Sequence, residues 1–305
     1  MNAVEIREVT KRFGKQVAVD DLSLVVPERS IYGFIGPNGS GKTTTLRMIM
    51  RIFHPDSGSI QVLGSASSGS VNDQVAYLPE ERGLYKQMTV TETLEYYATL
   101  RGMRRSDARR ETEAWLEKLG LAAHAKKKIA ALSKGMSQKV QFIATIVARP
   151  ALVLLDEPFS GLDPVNAAVL RAAILELSKA STIIFSTHDM SAAESLCDFI
   201  FMIHRGKKVL DGTLEQIKSA YGSDTLRVRM DGRSAHLSAI DGVLEVTDLG
   251  NLQELRVTPE TDPQRVLCEL MRRGAVHHFE LARPSLEEIF VRIARPEPET
   301  EAHGG

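Results

Sequence analysis

The sequence predicts a layered α/β core over residues 1–218, followed by a small α+β domain over residues 222–295. Short apolar runs of strand length that alternate with helical stretches indicate the core. A glycine-rich segment at residues 36–43 lies between one such run and a helical stretch, as it does in strand–loop–helix phosphate sites. Around residues 219–224 the pattern changes to alternating strands with two amphipathic segments, which favours a separate domain.

The bulk composition excludes several classes of protein. The 305 residues carry 38 Lys and Arg against 39 Asp and Glu, so a net charge of -1 provides no basic field for nucleic acid. No apolar run approaches the length that spans a bilayer, and the first residues lack a signal-peptide pattern. Cys197 and Cys268 lie far apart without metal-ligand spacing, which favours a reducing cytosol over a disulfide framework.

The core is expected to contain eight short strands, because apolar and alternating runs of four to ten residues recur along it. A helix is expected directly after the glycine-rich segment, over residues 44–52. The predicted strands cover residues 4–9, 17–26, 31–35, 59–62, 75–78, 151–155, 182–186 and 199–204.

Residues 85–150 are predicted to form a helical subdomain within the core. Thr91 is expected to cap its first helix, Ser106 the second and Ser133 the third. Gly120 is expected to end the second helix, because glycine readily adopts the left-handed conformation that follows a helix.

The second domain is predicted to be ferredoxin-like, because its elements follow the order strand, short helix, two strands, helix, strand. A last amphipathic helix is expected over residues 285–293, and residues 296–305 have the composition of a disordered tail. The predicted strands cover residues 225–230, 243–248, 252–258 and 277–281, and the predicted helices cover residues 234–240 and 263–273.

Residues 36–43 fit the phosphate-binding pattern G-x-x-x-x-G-K-[ST] at every fixed position. Its glycines let successive backbone N–H groups turn towards an anion, and the following helix adds its positive dipole end. Lys42 is expected to reach the β- and γ-phosphates, and Thr43 to bind Mg²⁺. The simpler alternative is a glycine-rich turn before an ordinary helix. The predicted nucleotide contacts are Gly36, Pro37, Asn38, Gly39, Ser40, Gly41, Lys42, Thr43 and Thr44.

Two adjacent carboxylates follow the apolar strand at residues 151–155. Asp156 comes at the carboxyl end of that strand, which suits a magnesium site. Glu157 follows directly and is placed to hold a water molecule against the γ-phosphate as a general base. The simpler alternative is an apolar strand that ends in a solvated acidic turn.

Two further segments indicate no specific function when each is considered alone. Residues 132–136 read LSKGM and are typical of a capped helix start, and residues 160–164 read SGLDP and are typical of a turn with an N-cap. The order of these segments relative to the phosphate loop, the two carboxylates and His188 resembles that in the ATP-binding subunits of ABC transporters. The resemblance covers residues 1 to about 215.

This resemblance implies roles for residues in one half of an ATP site. Phe13 corresponds to the aromatic residue that stacks on adenine in the family. Asp156 corresponds to the magnesium-side carboxylate and Glu157 to the catalytic base. Lys42 and the switch histidine, His188, complete the implied catalytic set.

The same resemblance implies that other residues serve a second subunit. The helix that starts at residues 132–136 would face the γ-phosphate bound by that subunit, through Ser133 and Gly135. Asp163 lies in the segment that touches the second subunit. Two copies would then pair head to tail around two ATP molecules.

The chain departs from the family pattern at three positions. Glu80 stands where the family usually has Gln, and a carboxylate there is still able to ligand magnesium or hold the attacking water. Glu80 therefore remains in the predicted nucleotide and metal site. Lys134 and Met136 replace the first Gly and the Gln of the usual LSGGQ signature. Lys134 either adds a cation near the phosphates or points to solvent.

The implied function is an ATPase subunit at the cytoplasmic face of the membrane, using ATP and Mg²⁺ to power export through a separate transmembrane permease. The C-terminal domain and residues 77–85 and 284–290 resemble a bacterial branch that includes sodium-extrusion and drug or lipid exporters. A second subunit is the expected partner, and nucleic acid is not. One alternative is a non-transport ABC ATPase acting on a nucleoprotein. Another is a regulatory ATPase whose C-terminal domain senses a ligand.

Overall fold

The chain folds into two compact units, Met1–Thr213 and Leu214–Gly305. The structure is a computed structural model that describes residues 1–65, 74–81, 83–221, 225–231 and 234–294. The division falls a few residues before position 218, where the sequence pattern places the boundary. The predicted tail, residues 296–305, lies outside the described residues.

Two sheets form the described part of the first unit. A three-stranded antiparallel sheet has the order β2-β1-β4, and a six-stranded sheet has the order β5-β6-β7-β3-β8-β9. The six-stranded sheet is parallel except for the pairing of β8 with β9. The strands are β1 (Asn2–Phe13), β2 (Gln16–Pro27), β3 (Ile31–Ile35), β4 (Ser57–Val62), β5 (Val75–Leu78), β6 (Leu152–Asp156), β7 (Thr182–Thr187), β8 (Phe199–His204) and β9 (Lys207–Thr213).

The sequence prediction missed β9. This strand pairs with β8 through a hairpin at Arg205 and Gly206, whose φ angles of 50° and 79° are both positive. Such a two-residue turn matches the twist of antiparallel strands. Gly206 is the part of this turn that the sequence signals, because Arg rarely adopts the positive φ that the turn requires of Arg205.

The described part of the first unit contains six α-helices and two short 3-10 helices, and two of the caps predicted for the α-helices are wrong. Thr89, not Thr91, caps α2, because Thr89 and Glu92 form a reciprocal capping box. The helix α3 starts after Arg104 without a side-chain cap, so Ser106 lies inside it. Ser133 caps α4 as predicted. The helices are α1 (Lys42–Ile49), α2 (Val90–Leu100), α3 (Arg105–Lys118), α4 (Lys134–Ile146), α5 (Pro164–Leu177) and α6 (Met190–Leu196).

Apolar side chains cover both faces of the six-stranded sheet, as expected for buried parallel strands. Along β6, Val153 and Leu155 join the cluster formed with α2, α3, α4 and α5. The alternate residues Leu152 and Leu154 join the cluster formed with α1 and the antiparallel sheet. The strand β6 is therefore buried between two layers of apolar side chains.

The second unit contains a four-stranded antiparallel sheet of order β11-β12-β10-β13. Leu226, Val228, Leu255 and Leu270 form the centre of its core. The order of elements confirms the ferredoxin-like prediction, with a short 3-10 helix at Ser234–Ala239 in place of the first helix. Its elements are α7 (Leu214–Ala220), β10 (Thr225–Met230), β11 (Val243–Asp248), β12 (Gln253–Val257), α8 (Pro263–Arg273), β13 (Val276–Ala282) and α9 (Leu286–Ala294).

None of the helices in the described ranges is both long enough and apolar enough to cross a membrane. The longest, α3 and α5, have 14 residues each. Spanning a bilayer takes about 20 apolar residues.

Gly33 in the centre of β3 is expected to tolerate no side chain. A Cβ atom at this position would lie 2.5 Å from Cys197 Sγ. Gly33→Ala should therefore destabilise the first unit by about 1–3 kcal/mol, as overpacked cores do. Urea unfolding followed by circular dichroism measures the change. In a Cys197→Ala background the sulfur is gone and the cost should fall sharply, whereas an equal cost in both backgrounds would place the strain elsewhere.

Candidate nucleotide-binding site

The register of the central sheet brings three strand ends to one level. Ile35 at the end of β3 lies opposite Thr187 of β7, and Asp156 at the end of β6 lies opposite Ser186 of β7. Gly36 directly follows β3, His188 follows β7 and Glu157 follows β6. Carboxyl ends of parallel strands are where ligands bind in open α/β sheets.

The loop between β3 and α1 approaches neighbouring backbone too closely for side chains. Gly36, Gly39 and Gly41 have φ angles of 150°, 77° and 114°, which favour glycine. A Cβ on Gly41 would lie 2.5 Å from the Ala18 carbonyl oxygen. Ser40 Oγ is buried and has no hydrogen-bond partner among the described residues. A concave backbone that begins a helix and leaves a buried hydroxyl unpaired fits an anionic ligand.

Lys42 is a buried cation at the first position of α1. Its ammonium group donates to the carbonyl oxygens of Gly36 at 2.7 Å and Pro37 at 3.1 Å. It also lies 4.0 Å from Glu157 Oε1. Burial lowers the pKa of Lys42, while the carboxylates of Glu157, Asp156 and Glu80 oppose that shift. The Lys42 ammonium group thus donates to carbonyl oxygens of its own loop. In a nucleotide complex, phosphate oxygens would be expected to accept from it.

Three hydroxyl groups fix the Asp156 carboxylate. Thr43 Oγ1 donates to Oδ1 at 3.1 Å and Tyr77 donates to Oδ2 at 3.1 Å, while Ser186 donates to Oδ1 at 2.5 Å. Burial, followed by the charge of Asp156, raises the pKa of Tyr77 to about 12, so Tyr77 remains a donor at neutral pH. The Thr43 hydroxyl and the Asp156 carboxylate are oxygen ligands of the kind that Mg²⁺ prefers.

Sequence reasoning missed Ser186 and Tyr77. Tyr77 is 79 residues from Asp156 and Ser186 is 30 residues from it. The two residues share a position in the sheet, because each is the last residue but one of a strand that neighbours β6. The sequence position alone does not predict a contact with Asp156. The contact arises because the strand order places β5 and β7 on either side of β6.

Glu157 adopts a strained backbone conformation with φ of 49°. Its N–H lies 3.1 Å from Ser186 Oγ and 3.2 Å from the Ser186 carbonyl oxygen, and both accept it. Its Oε1 lies 3.0 Å from His188 Nδ1. The Glu157 side chain is 9% exposed and that of His188 is 57% exposed. The turn therefore places a buried carboxylate in the wall of the nucleotide cavity, while His188 contacts that carboxylate and does not itself line the cavity.

One cavity unites most of the residues predicted to bind nucleotide. Glu80 and Glu157 both line it, opposite the phosphate loop. Phe13 lines it as well, with its ring 5.3 Å from the Phe53 ring and 44% of its surface exposed. The lining residues are Phe13, Gln16, Ala18, Asn38, Gly39, Gly41, Lys42, Thr43, Thr44, Glu80 and Glu157.

Ser133, Gly135 and Asp163 do not line that cavity. They meet instead at the starts of α4 and α5, where a Cβ on Gly135 would lie 3.1 Å from Asn166 Nδ2. Ser133 Oγ accepts the Met136 N–H at 3.3 Å, and Asp163 Oδ1 accepts the Asn166 N–H at 3.0 Å. We call this surface, residues 133–136 and 160–163, the signature surface.

Lys134 lies across Gly161 within the signature surface. Its Cε lies 2.8 Å from the position that a Gly161 Cβ would take, and Gly161 has a φ of 68°. The lysine stem thus covers the glycine of the same chain. In this structure Lys134 connects the starts of α4 and α5.

Comparison with known proteins finds two family models. The model described as ABC transporter matches residues 19–160, and the model for the C-terminal domain of DrrA1-3-like ATP-binding proteins matches residues 212–294. An uncharacterized ABC transporter ATP-binding protein of Bacillus subtilis, YhaQ, is 39% identical, over 94% of this chain and 96% of that protein.

Two further comparisons agree with these matches. The daunorubicin/doxorubicin resistance ATP-binding protein DrrA of Streptomyces peucetius is 30% identical, over 95% of this chain and 92% of that protein. A solved structure described as the ATP-binding subunit of an ABC transporter superposes with a TM-score of 0.67 at 31% identity, covering 72% of this chain and 93% of that one.

Ser186→Ala is expected to slow ATP hydrolysis by about tenfold, since a lost hydrogen bond to a charged group weakens the fixed geometry by about 1.5 kcal/mol. Steady-state phosphate release measures the effect. Ser181→Ala is the matched control, because Ser181 Oγ donates to the Pro150 carbonyl oxygen at 2.7 Å at the other end of β7. Equal losses in the two variants would make the effect one of general stability.

Proposed function

This chain belongs to the ATP-binding proteins of ABC transporters, and we propose that it works as a pair of identical subunits powering export through a separate permease. It is an ATPase by that membership. The observation that carries the proposal is the convergence of the phosphate loop, Asp156, Glu157 and His188 at the carboxyl ends of the central strands.

Hydrolysis of a phosphoanhydride depends mainly on positioning and on stabilising charge. The loop N–H groups and Lys42 would bind the β- and γ-phosphates, and Phe13 would stack on the adenine. Glu157 would orient the attacking water and accept its proton, with His188 supporting the γ-phosphate. Bound Mg²⁺ would neutralise phosphate charge, held by Thr43 and Asp156, with Glu80 as a further oxygen ligand.

The position of the signature surface supports the pairing of two copies. Ser133, Gly135 and Asp163 lie outside the cavity formed by the phosphate loop of their own chain. The start of α4 presents its positive dipole end, and the N–H groups of its first two residues, Lys134 and Gly135, remain for an anion because Ser133 Oγ accepts that of Met136. In a head-to-tail pair, this helix start would approach the γ-phosphate bound by the other copy.

The permease partner follows from the family, and the direction of transport is part of the proposal. ABC ATP-binding subunits work with transmembrane permeases, and this chain would act at the cytoplasmic face of the membrane. Export is favoured by the similarity to DrrA, named for daunorubicin/doxorubicin resistance, over both units of the chain. The transported molecule would be selected by the permease.

Glu157→Gln is expected to retain ATP binding, lower turnover by at least about 100-fold and accumulate an ATP-bound dimer, because the amide accepts no proton. Phosphate release gives the turnover, and light scattering with ATP and Mg²⁺ gives the mass. Glu176→Gln on α5 is the control, since Glu176 is half exposed and pairs with Lys118. Hydrolysis by Glu157→Gln at the parental rate would remove Glu157 from the mechanism.

Affinity capture of the tagged full chain from detergent-solubilised host membranes is expected to recover a protein with several membrane spans, because transport needs a permease. Mass spectrometry identifies the partner, and an untagged culture provides the background. Stoichiometric recovery of ribosomes or DNA instead would contradict the transport function.

A further inference from the structure

The helix α4 runs from the signature surface to the loops that carry the candidate catalytic carboxylates. It begins after Ser133, and its residues from Gln138 to Ile146 are buried. Gln138 and Gln141 are three residues apart, so they project from the same side of the helix. Gln138 is 3% exposed and Gln141 is 5% exposed.

Gln141 holds the backbone on both sides of Glu80. Its side-chain amide donates to the carbonyl oxygen of Pro79 at 3.4 Å and to that of Glu81 at 3.1 Å. The amide orientation is fixed because both partners are acceptors. Glu80, between the two acceptors, lines the cavity that faces the phosphate loop.

Gln138 makes the equivalent contact one turn earlier. Its amide donates to the Pro158 carbonyl oxygen at 3.3 Å, and Pro158 directly follows Glu157. Two buried amides on one helix therefore hold the loops of both carboxylates, one after β5 and one after β6.

Gln141 is not explained by stability alone. Its Oε1 atom is buried and lacks a hydrogen-bond partner among the described residues. A buried unpaired acceptor is destabilising, and an apolar side chain of the same shape would avoid that cost. Against this cost, the side-chain amide of Gln141 provides two hydrogen bonds to the backbone on either side of Glu80.

We propose that Gln141 is a positioning residue for Glu80 and that, with Gln138, it makes α4 the mechanical link between the signature surface and the two carboxylates. This rests on the proposed function, in which the signature surface meets the nucleotide of a second copy. Ser133 and Gln141 are eight positions apart, about 12 Å along a helix. A change in the position of the helix start therefore reaches the Glu80 loop through a buried, rigid element.

The test is a double-mutant cycle on ATP hydrolysis in the full chain. Gln141→Met keeps the length of the side chain and removes its donors, and Glu80→Ala removes the carboxylate. We expect each single variant to lower kcat by about tenfold, with KM for ATP changed by less than about twofold. The double variant should be no slower than Glu80→Ala alone, because a residue that acts through Glu80 has nothing left to position.

Thr145→Val is the matched control. Thr145 Oγ1 donates to the Gln141 carbonyl oxygen at 2.9 Å, so the variant loses a buried hydrogen bond in the same helix without touching the Glu80 loop. It should hydrolyse ATP at the parental rate. If Gln141→Met does not fold, Gln141→Ala takes its place in the cycle.

Two outcomes would overturn the proposal. Losses that multiply in the double variant would mean that Gln141 acts independently of Glu80. A parental rate in Glu80→Ala would mean that any defect of Gln141→Met arises elsewhere. Both are distinct from failure of the proposed function, in which Glu157→Gln would form no ATP-bound dimer whatever the result of the cycle.

Discussion

The parallel register of β3, β7 and β6 is the constraint on which the candidate site depends. Because β7 lies between the other two strands, the phosphate loop and the Asp156-Glu157 pair are positioned by separate ladders that share one strand. A slip of one residue in either ladder would move every side chain of the strand to the opposite face of the sheet. The apolar clusters on both sides of the sheet oppose that slip, so the hydrophobic core also sets the geometry of the site.

At the end of β6, two adjacent carboxylates are given opposite surroundings. Asp156 continues the strand and is enclosed by three hydroxyl donors. Glu157 leaves the strand through a left-handed turn that Ser186 stabilises by accepting its N–H. Ser186 thus contacts both residues, donating to one and accepting from the next. Backbone strain of this kind persists where surrounding contacts compensate for it.

Much of the fold and part of the candidate site could be predicted from the sequence, because local patterns encode them. The strands β3, β5 and β8 have their predicted bounds, since each is a short, mainly apolar run with polar residues, Gly or Pro on either side. The cap of α2 was misplaced because Thr89 and Thr91 are chemically equivalent candidates, and only Thr89 has Glu92 three residues on. The phosphate loop could be predicted because its residues 36–43 form one continuous motif of eight positions.

The residues that support the site could not be predicted in the same way. Gln141 reaches the Glu80 loop across 60 residues of sequence, and Ser186 reaches Asp156 across 30. Such contacts depend on strand order and on which face a helix buries. Neither feature can be inferred from the residues that are next to Gln141 or Ser186 in the sequence.

The charge around the cavity connects nucleotide binding to pairing. Among the described residues that line it, Lys42 is the one cation, and Glu80 and Glu157 are anions. A triphosphate adds several negative charges, and the start of α1 contributes only about half a positive charge through its dipole. We infer that Mg²⁺ and the start of α4 from a second copy supply the remaining positive potential. Departure of the γ-phosphate would remove negative charge from the cavity, so the attraction for the second copy would weaken and the pair would open.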